Sequence, residues 1–178
     1  MAGRPTPPTP YDFLPQVPSF TVTSTDIKDG ESLPQPHVSG KMGLDGGDRS
    51  PQLSWSDFPE DTQGFAVTVY DPDAPTTSGF WHWAVTGIPS SVTELAGGAA
   101  EDGLPEGAIQ LRNDAGFAGF VGAAPPAGHG RHRYFVVVHA LDTDDLGVPA
   151  DASPAFLGFN LFSHTLARAT IVPVFEVK

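Results

Sequence analysis

Two short segments hold most of the side chains able to do chemistry. One is Asp71-Pro72-Asp73-Ala74-Pro75, followed by Trp81-His82-Trp83. The other is Pro125-Pro126-Ala127-Gly128-His129-Gly130-Arg131-His132-Arg133-Tyr134. Each brings one imidazole, His82 or His132, to the start of an apolar run beside prolines or glycines. The first adds two carboxylates. His and Asp clustered on rigid turns mark a binding or catalytic site more often than simple packing.

Pro72 and Pro75 fix φ and remove two backbone donors, so Asp71 and Asp73 sit on a stiff turn. Two readings stay open for these carboxylates: members of a pocket, or acceptors closing an Asx-turn. An X–Pro bond in a tight turn adopts cis at modest cost, and Ala74–Pro75 is expected to be cis. Strand alternation places Trp81, Trp83 and Val85 on one face and His82 on the other. It also places His132 and Tyr134 on one face, with Arg131 and Arg133 opposite, pointing outward or pairing with Asp. Gly122 and Pro125-Pro126 suggest a rigid loop that exposes backbone N–H groups. Such amides together with imidazole donors make a small oxyanion site.

Other chemistries lack their signatures. There is no Gly-x-Ser-x-Gly elbow for a serine hydrolase and no Gly-x-x-x-x-Gly-Lys-Ser/Thr phosphate loop. His82, His132, Asp71 and Asp73 could in principle form a two-His, carboxylate metal set. No His-x-His or His-x-x-x-His spacing supports one. We therefore expect no metal, no cofactor and no catalytic residue.

Composition sets the frame for these residues. The chain has 178 residues, 39% of them apolar, and a formal net charge of −12 from 9 basic and 21 acidic side chains. The acidic balance argues against general affinity for nucleic acid or an anionic membrane. His129, Arg131, His132 and Arg133 form a local basic island that suits a small anion while polyanions are repelled. With no cysteine, disulfide and thiolate chemistry are excluded. No apolar stretch approaches the ~20 residues of a transmembrane helix. The N-terminus shows no charged region followed by an apolar run, so a cytoplasmic location is expected.

The 20 glycines and 19 prolines lack a collagen-like period and favour short strands joined by turns. Residues 1–18 are proline-rich and read as extended chain, either loose or pinned by Tyr11, Phe13 and Leu14. Residues 19–178 read as a single domain. Strands are expected over 20–25, 53–55, 64–70, 81–88, 133–141 and 171–177. The 133–141 run is nearly all apolar, as in a strand buried on both faces. Ser153-Pro154 opens a helix. Its apolar spacing runs through Leu166 and Ala169, with Arg168 complementing the C-terminal dipole. The architecture expected is all-β: an antiparallel sandwich with a short C-terminal helix at its edge.

Together these residues resemble a known family. Asp71-Pro-Asp-Ala-Pro75 with Trp81-His-Trp83, then Gly122…Pro125-Pro126…Gly128-x-Gly130-x-His132-Arg133-Tyr134, are similar to the two signature regions of phosphatidylethanolamine-binding proteins. That family includes Raf kinase inhibitor proteins and plant flowering regulators. Gly46-Gly47-Asp48-Arg49-Ser50-Pro51-x-Leu53-Ser54-Trp55 resembles a third segment. Arg112-Asn113-Asp114…Gly119 and the late helix resemble its bacterial branch. The resemblance spans about residues 19–176. Ala124 stands where many members have Gly, Phe175 where Tyr is frequent, and the proline-rich N-terminus lies outside the pattern.

The resemblance implies Greek-key connections in the sandwich and a pocket for phosphate, phosphoethanolamine or similar anions. Its members would be Asp71, Asp73, Pro75, His82, Gly122, Ala124, Pro125, His132 and Tyr134. His82 and His132 would donate to phosphate oxygens, Asp71 or Asp73 would orient an imidazole, and Tyr134 would shape the wall. With imidazole titrating near about 6.5, phosphate would bind more tightly as pH falls from about 8 to 6. The leading function is non-enzymatic anion binding. The alternative is regulation of a partner kinase or protease. A homodimer is compatible with the bacterial branch.

Overall fold

The computed structural model describes residues 4–178. In chain order the elements are β1 (Thr21–Thr23), β2 (Leu53–Ser56), β3 (Gly64–Asp71), β4 (Phe80–Pro89), β5 (Glu94–Leu95), the one-turn helix α1 (Ala99–Asp102) and β6 (Ile109–Gln110). Then come β7 (His132–Arg133), β8 (Phe135–Leu141), α2 (Pro154–His164), β9 (Thr165–Ile171) and β10 (Val174–Phe175). The main sheet has the order β6-β4-β3-β8-β9, antiparallel throughout. A smaller sheet has the order β1-β2-β5, and β10 pairs with β7. The fold is β-rich and antiparallel, as expected.

The main core lies between the inner face of the large sheet and the small sheet. Phe65, Val67 and Val69 of β3, Trp83 and Val85 of β4, and Val136 and Val138 of β8 meet Leu53, Trp55 and Leu95 there. Alternate residues of the same strands, Ala66 and Ala84, meet Leu157 and Leu161 of α2 on the outer face. The two central strands are thus covered on both sides, which is why their sequences show so little polar alternation.

Three expectations need correction. First, α2 ends at His164 and Thr165–Ile171 is a strand. Ala167, Ala169 and Ile171 are buried at a period of two and pair with β8. That pairing overrides an apolar spacing that also fits a helix. Arg168 therefore lies in mid-strand, away from any helix terminus. The start of α2 does follow the sequence: Ser153 Oγ accepts from Phe156 N at 3.1 Å, ahead of Pro154. Second, the strand expected over 171–177 shrinks to Val174–Phe175, after the break at Val172-Pro173. Third, Ala74–Pro75 is trans, as is every peptide bond among the described residues. The turn closes without a cis bond, through Asp73 N donating to Asp71 Oδ1 at 2.7 Å and Thr76 N to Ala74 O at 2.8 Å.

The N-terminal segment is pinned rather than loose. Arg133 Nη2 donates to Pro7 O at 2.7 Å, and Arg4 Nη1 to Asp73 O at 2.9 Å. Tyr11 packs 6.2 Å from both Phe135 and His139. Phe13 plays no such part and stays exposed. Among the described residues no helix is long and apolar enough to cross a membrane.

Candidate functional site

A break in the β3–β4 ladder aims the first histidine. Val69 pairs with Trp83 but Tyr70 pairs with Trp81, which leaves His82 as an extra residue. Such a bulge re-aims side chains. Trp83 joins the inner core, whereas Trp81 packs against Tyr70, ring centroids 4.4 Å apart, on the outer face. The two tryptophans therefore do not share a face, contrary to simple alternation. His82 instead points to the inner side, with Phe80 at 4.8 Å and Tyr134 at 5.2 Å.

The second histidine is held by the Asp-Pro-Asp turn. His132 Nδ1 lies 2.7 Å from Asp71 Oδ2, with both side chains buried. Asp71 thus closes its own turn and fixes an imidazole with its other oxygen. A carboxylate oxygen only accepts, so His132 carries a proton on Nδ1. In the neutral ring Nε2 is then an acceptor, and His129 Nδ1 sits 2.7 Å from it. His82 follows the same logic: Nδ1 donates to Val121 O at 2.8 Å, which leaves Nε2 an acceptor. Burial pushes the His82 pKa below its ordinary value, despite the Val121 carbonyl and the Asp71 charge. The sequence-based picture of two imidazole donors therefore holds only for a protonated ring.

A cavity of about 220 Å³ lies where these groups converge. Asp71, Pro75, His82, Ala124 and His132 line it. Met42, Thr76 and Phe80, which sequence reasoning did not single out, also line it, as does Pro126 of the Pro125-Pro126 loop. Four expected members lie elsewhere. Asp73 faces Arg133, which donates Nε at 2.9 Å, Nη2 at 3.1 Å and its backbone N at 2.9 Å. Burial alone would raise the Asp73 carboxyl, but these bonds and the Arg133 charge outweigh it and hold the pKa below its ordinary value. Tyr134 lies behind His82 in the core, and burial pushes its phenol up. Its hydroxyl has no hydrogen-bond partner among the described residues. Pro125 is buried beside the cavity without lining it.

Gly122 is the fourth, and its role is structural. Its N–H donates to Asp48 Oδ1 at 2.8 Å, and the Ala123 N–H donates to His37 O at 3.1 Å. Neither amide is free for an anion, so the expected amide nest does not form at these two positions. A Cβ on Gly122 would fall 2.4 Å from the Val38 carbonyl carbon. Only glycine allows that approach.

Asp48 is the residue that sequence reasoning passed over. It adopts φ 49, a left-handed conformation that Asp tolerates. Its carboxylate accepts from Gly40 N at 2.9 Å and Lys41 N at 2.8 Å as well as from Gly122. Burial would raise its pKa, yet these amide donors bring it below the ordinary value. Asp48 thus ties the turn carrying Met42 to the loop carrying Ala124, on opposite rims of the cavity. Its signal was the Gly46-Gly47-Asp48 run, where a Cβ on Gly46 would fall 2.0 Å from Val38 O. Among the described residues no group of three or more His, Asp or Glu is arranged to hold a metal ion.

Comparison with known proteins points the same way. The model of the phosphatidylethanolamine-binding protein family matches residues 23–176. The UPF0098 protein YbcL of Escherichia coli is 50% identical over 169 residues, covering 93% of this chain and 92% of that protein. The E. coli protein YbhB is 47% identical over 155 residues, covering 86% and 98%. The crystal structure of YbcL, described as a new member of the mammalian PEBP family, superposes with a TM-score of 0.87 over 90% of this chain and 99% of that one. A putative phosphatidylethanolamine-binding protein homologue from Chlamydia trachomatis, 27% identical, gives a TM-score of 0.75 over 90% of this chain and 99% of that one.

Proposed function

The chain belongs to the phosphatidylethanolamine-binding protein family, and from that premise we propose that it is a non-enzymatic binding protein for a small phosphate-like anion. The observation that carries this reading is the buried Asp71–His132 pair, 2.7 Å apart, at the wall of the cavity. Asp71 fixes the ring through Nδ1, so a proton taken at Nε2 turns that atom into a charged donor. Phosphate or a phosphoethanolamine headgroup would accept from it. His82 Nε2, kept neutral by burial, would accept from a protonated phosphate oxygen or from the headgroup ammonium.

His129 stands in the way of that contact, because its Nδ1 occupies His132 Nε2. It sits between Gly128 (φ 70) and Gly130 (φ 91), both in conformations that favour glycine. Such flanks let the His129 ring swing aside and be replaced by an anion.

Calorimetric titration with phosphate and phosphoethanolamine tests the reading. We expect binding that tightens from about pH 8 to pH 6, as imidazole protonation requires, and that is lost in His132→Ala. Affinity unaltered in that variant would place the anion elsewhere. Turnover of a phosphate or carboxylate ester that depends on His132 would make the protein an enzyme instead.

A further inference from the structure

A second cavity, of about 250 Å³, lies on the outer face of the main sheet and shares no lining residue with the one at His132. Thr68, Tyr70, Trp81 and His139 form its floor, α2 covers it with Gly158, Leu161 and Phe162, and Pro10, Tyr11 and Leu14 close one side. The walls are therefore mainly aromatic and apolar. Tyr70 and Thr165 spend their hydroxyls on Ser78 O and Leu161 O, and His139 holds the one buried polar atom of the lining left unsatisfied among the described residues. His139 is 3% exposed. Its Nε2 meets Thr68 Oγ1 at 2.9 Å, but its Nδ1 has no hydrogen-bond partner among the described residues. An unpaired buried polar atom is costly and calls for a reason.

Arg168 supplies the charge. Its guanidinium lies 5.3 Å over the Tyr11 ring, and Nη2 donates to Pro15 O at 3.3 Å. It takes part in none of the ion pairs formed among the described residues. In a chain where acidic side chains outnumber basic ones 21 to 9, a half-buried arginine without a carboxylate is unexpected. Among the described residues its desolvation is offset by the Tyr11 face and one long hydrogen bond. A bound carboxylate would complete that compensation through bidentate pairing.

We infer that this outer cavity is a second binding site, for a small aromatic carboxylate. The ring is received among Tyr11, Tyr70 and Trp81, the carboxylate is recognised by Arg168, and His139 Nδ1 is available for a further hydrogen bond. Aromatic faces and a few convergent polar groups are the usual make-up of a small-molecule site. The proline-rich segment gains a role, since it supplies the side wall and places Tyr11 against Arg168.

Benzoate is the probe, titrated into the full chain and followed by amide NMR shifts, with benzyl alcohol as the uncharged comparator. Gly158 offers a clean block, because a Cβ there meets nothing within 4 Å. Gly158→Leu fills the cavity at no steric cost to the backbone and removes a helix-weakening glycine. We expect saturable shifts at Thr68, Trp81 and His139. Affinity should fall by about tenfold or more for benzyl alcohol and in Arg168→Gln, and binding should vanish in Gly158→Leu while that variant unfolds at or above the parent temperature. Absence of saturable shifts, shifts centred on His132, or undiminished binding in Gly158→Leu would each overturn the inference. So would a chain that self-associates through the exposed Phe156, Phe159 and Phe162 and dissociates on benzoate addition, because the cavity would then belong to an interface between copies.

Discussion

Replacing Asp73 with Asn separates what holds the site from what forms it. The Asp73 side chain is 1% exposed and accepts three hydrogen bonds from Arg133, with Arg4 Nη2 at 3.6 Å adding charge. Removing one partner of a buried pair costs about 3–5 kcal/mol. The Arg133 side chain is 22% exposed, so water recovers part of that loss, and Asn keeps one acceptor. We therefore expect Asp73→Asn to cost about 2–3 kcal/mol, which for a domain of this size lowers Tm by about 5–10 °C. Urea and thermal unfolding measure the loss, and Arg133→Met completes a double-mutant cycle whose coupling should carry most of it. The pH dependence has a definite sign. Asp73 has a depressed folded pKa, so its stabilisation is present above the unfolded value of about 3.9 and is lost as pH falls through the folded one. The gap between parent and variant should close in strong acid. Sulfate affinity at the Asp71–His132 cavity should change by no more than about twofold, since Asp73 does not line it. A variant of parental stability that has lost sulfate binding would refute this division of labour.

Three further outcomes follow from the geometry. His129→Ala should bind phosphate about fivefold more tightly, because one competing hydrogen bond of about 1 kcal/mol at His132 Nε2 disappears; calorimetry at constant pH reads this, and weaker binding would make His129 part of the site. Gly122→Ala should cost about 3 kcal/mol or prevent folding, because its Cβ would lie 2.4 Å from Val38 backbone; denaturant unfolding decides. Acid should destabilise the chain early, because burial lowers the folded pKa of His139 to about 3 and also lowers that of His82. Both contribute stability fully above the unfolded value of about 6.5 and lose it progressively below; a His139→Gln variant with an unchanged stability–pH profile would remove His139 from that account.

The sequence made the strands of the large sheet legible because β3 and β8 are apolar on both faces and bounded by breakers. It also made the cavity's two histidines and Asp71 legible, since each sits next to rigid turn residues. It misled wherever pairing between distant segments decides the outcome. The Thr165–Ile171 segment reads as helix until its partner β8 is known. Trp81 and Trp83 part only because a bulge at His82 breaks the alternation. Asp73 carries the same local signal as Asp71, and only the approach of Arg133 from 60 residues away distinguishes them. The engagement of the Gly122 and Ala123 amides by Asp48 and His37 likewise depends on chain crossings that local patterns do not encode.

The central claim is that an anion is recognised by the imidazole that Asp71 orients. The most direct measurement is the ¹⁵N–¹H spectrum of the histidine side chains during titration with sulfate, whose own charge does not change near neutrality. The account predicts that His132 Nε2 leaves its contact with His129 and becomes a protonated donor to the bound sulfate. A His132 ring that keeps its tautomer and its contact with His129 at saturating sulfate would contradict it.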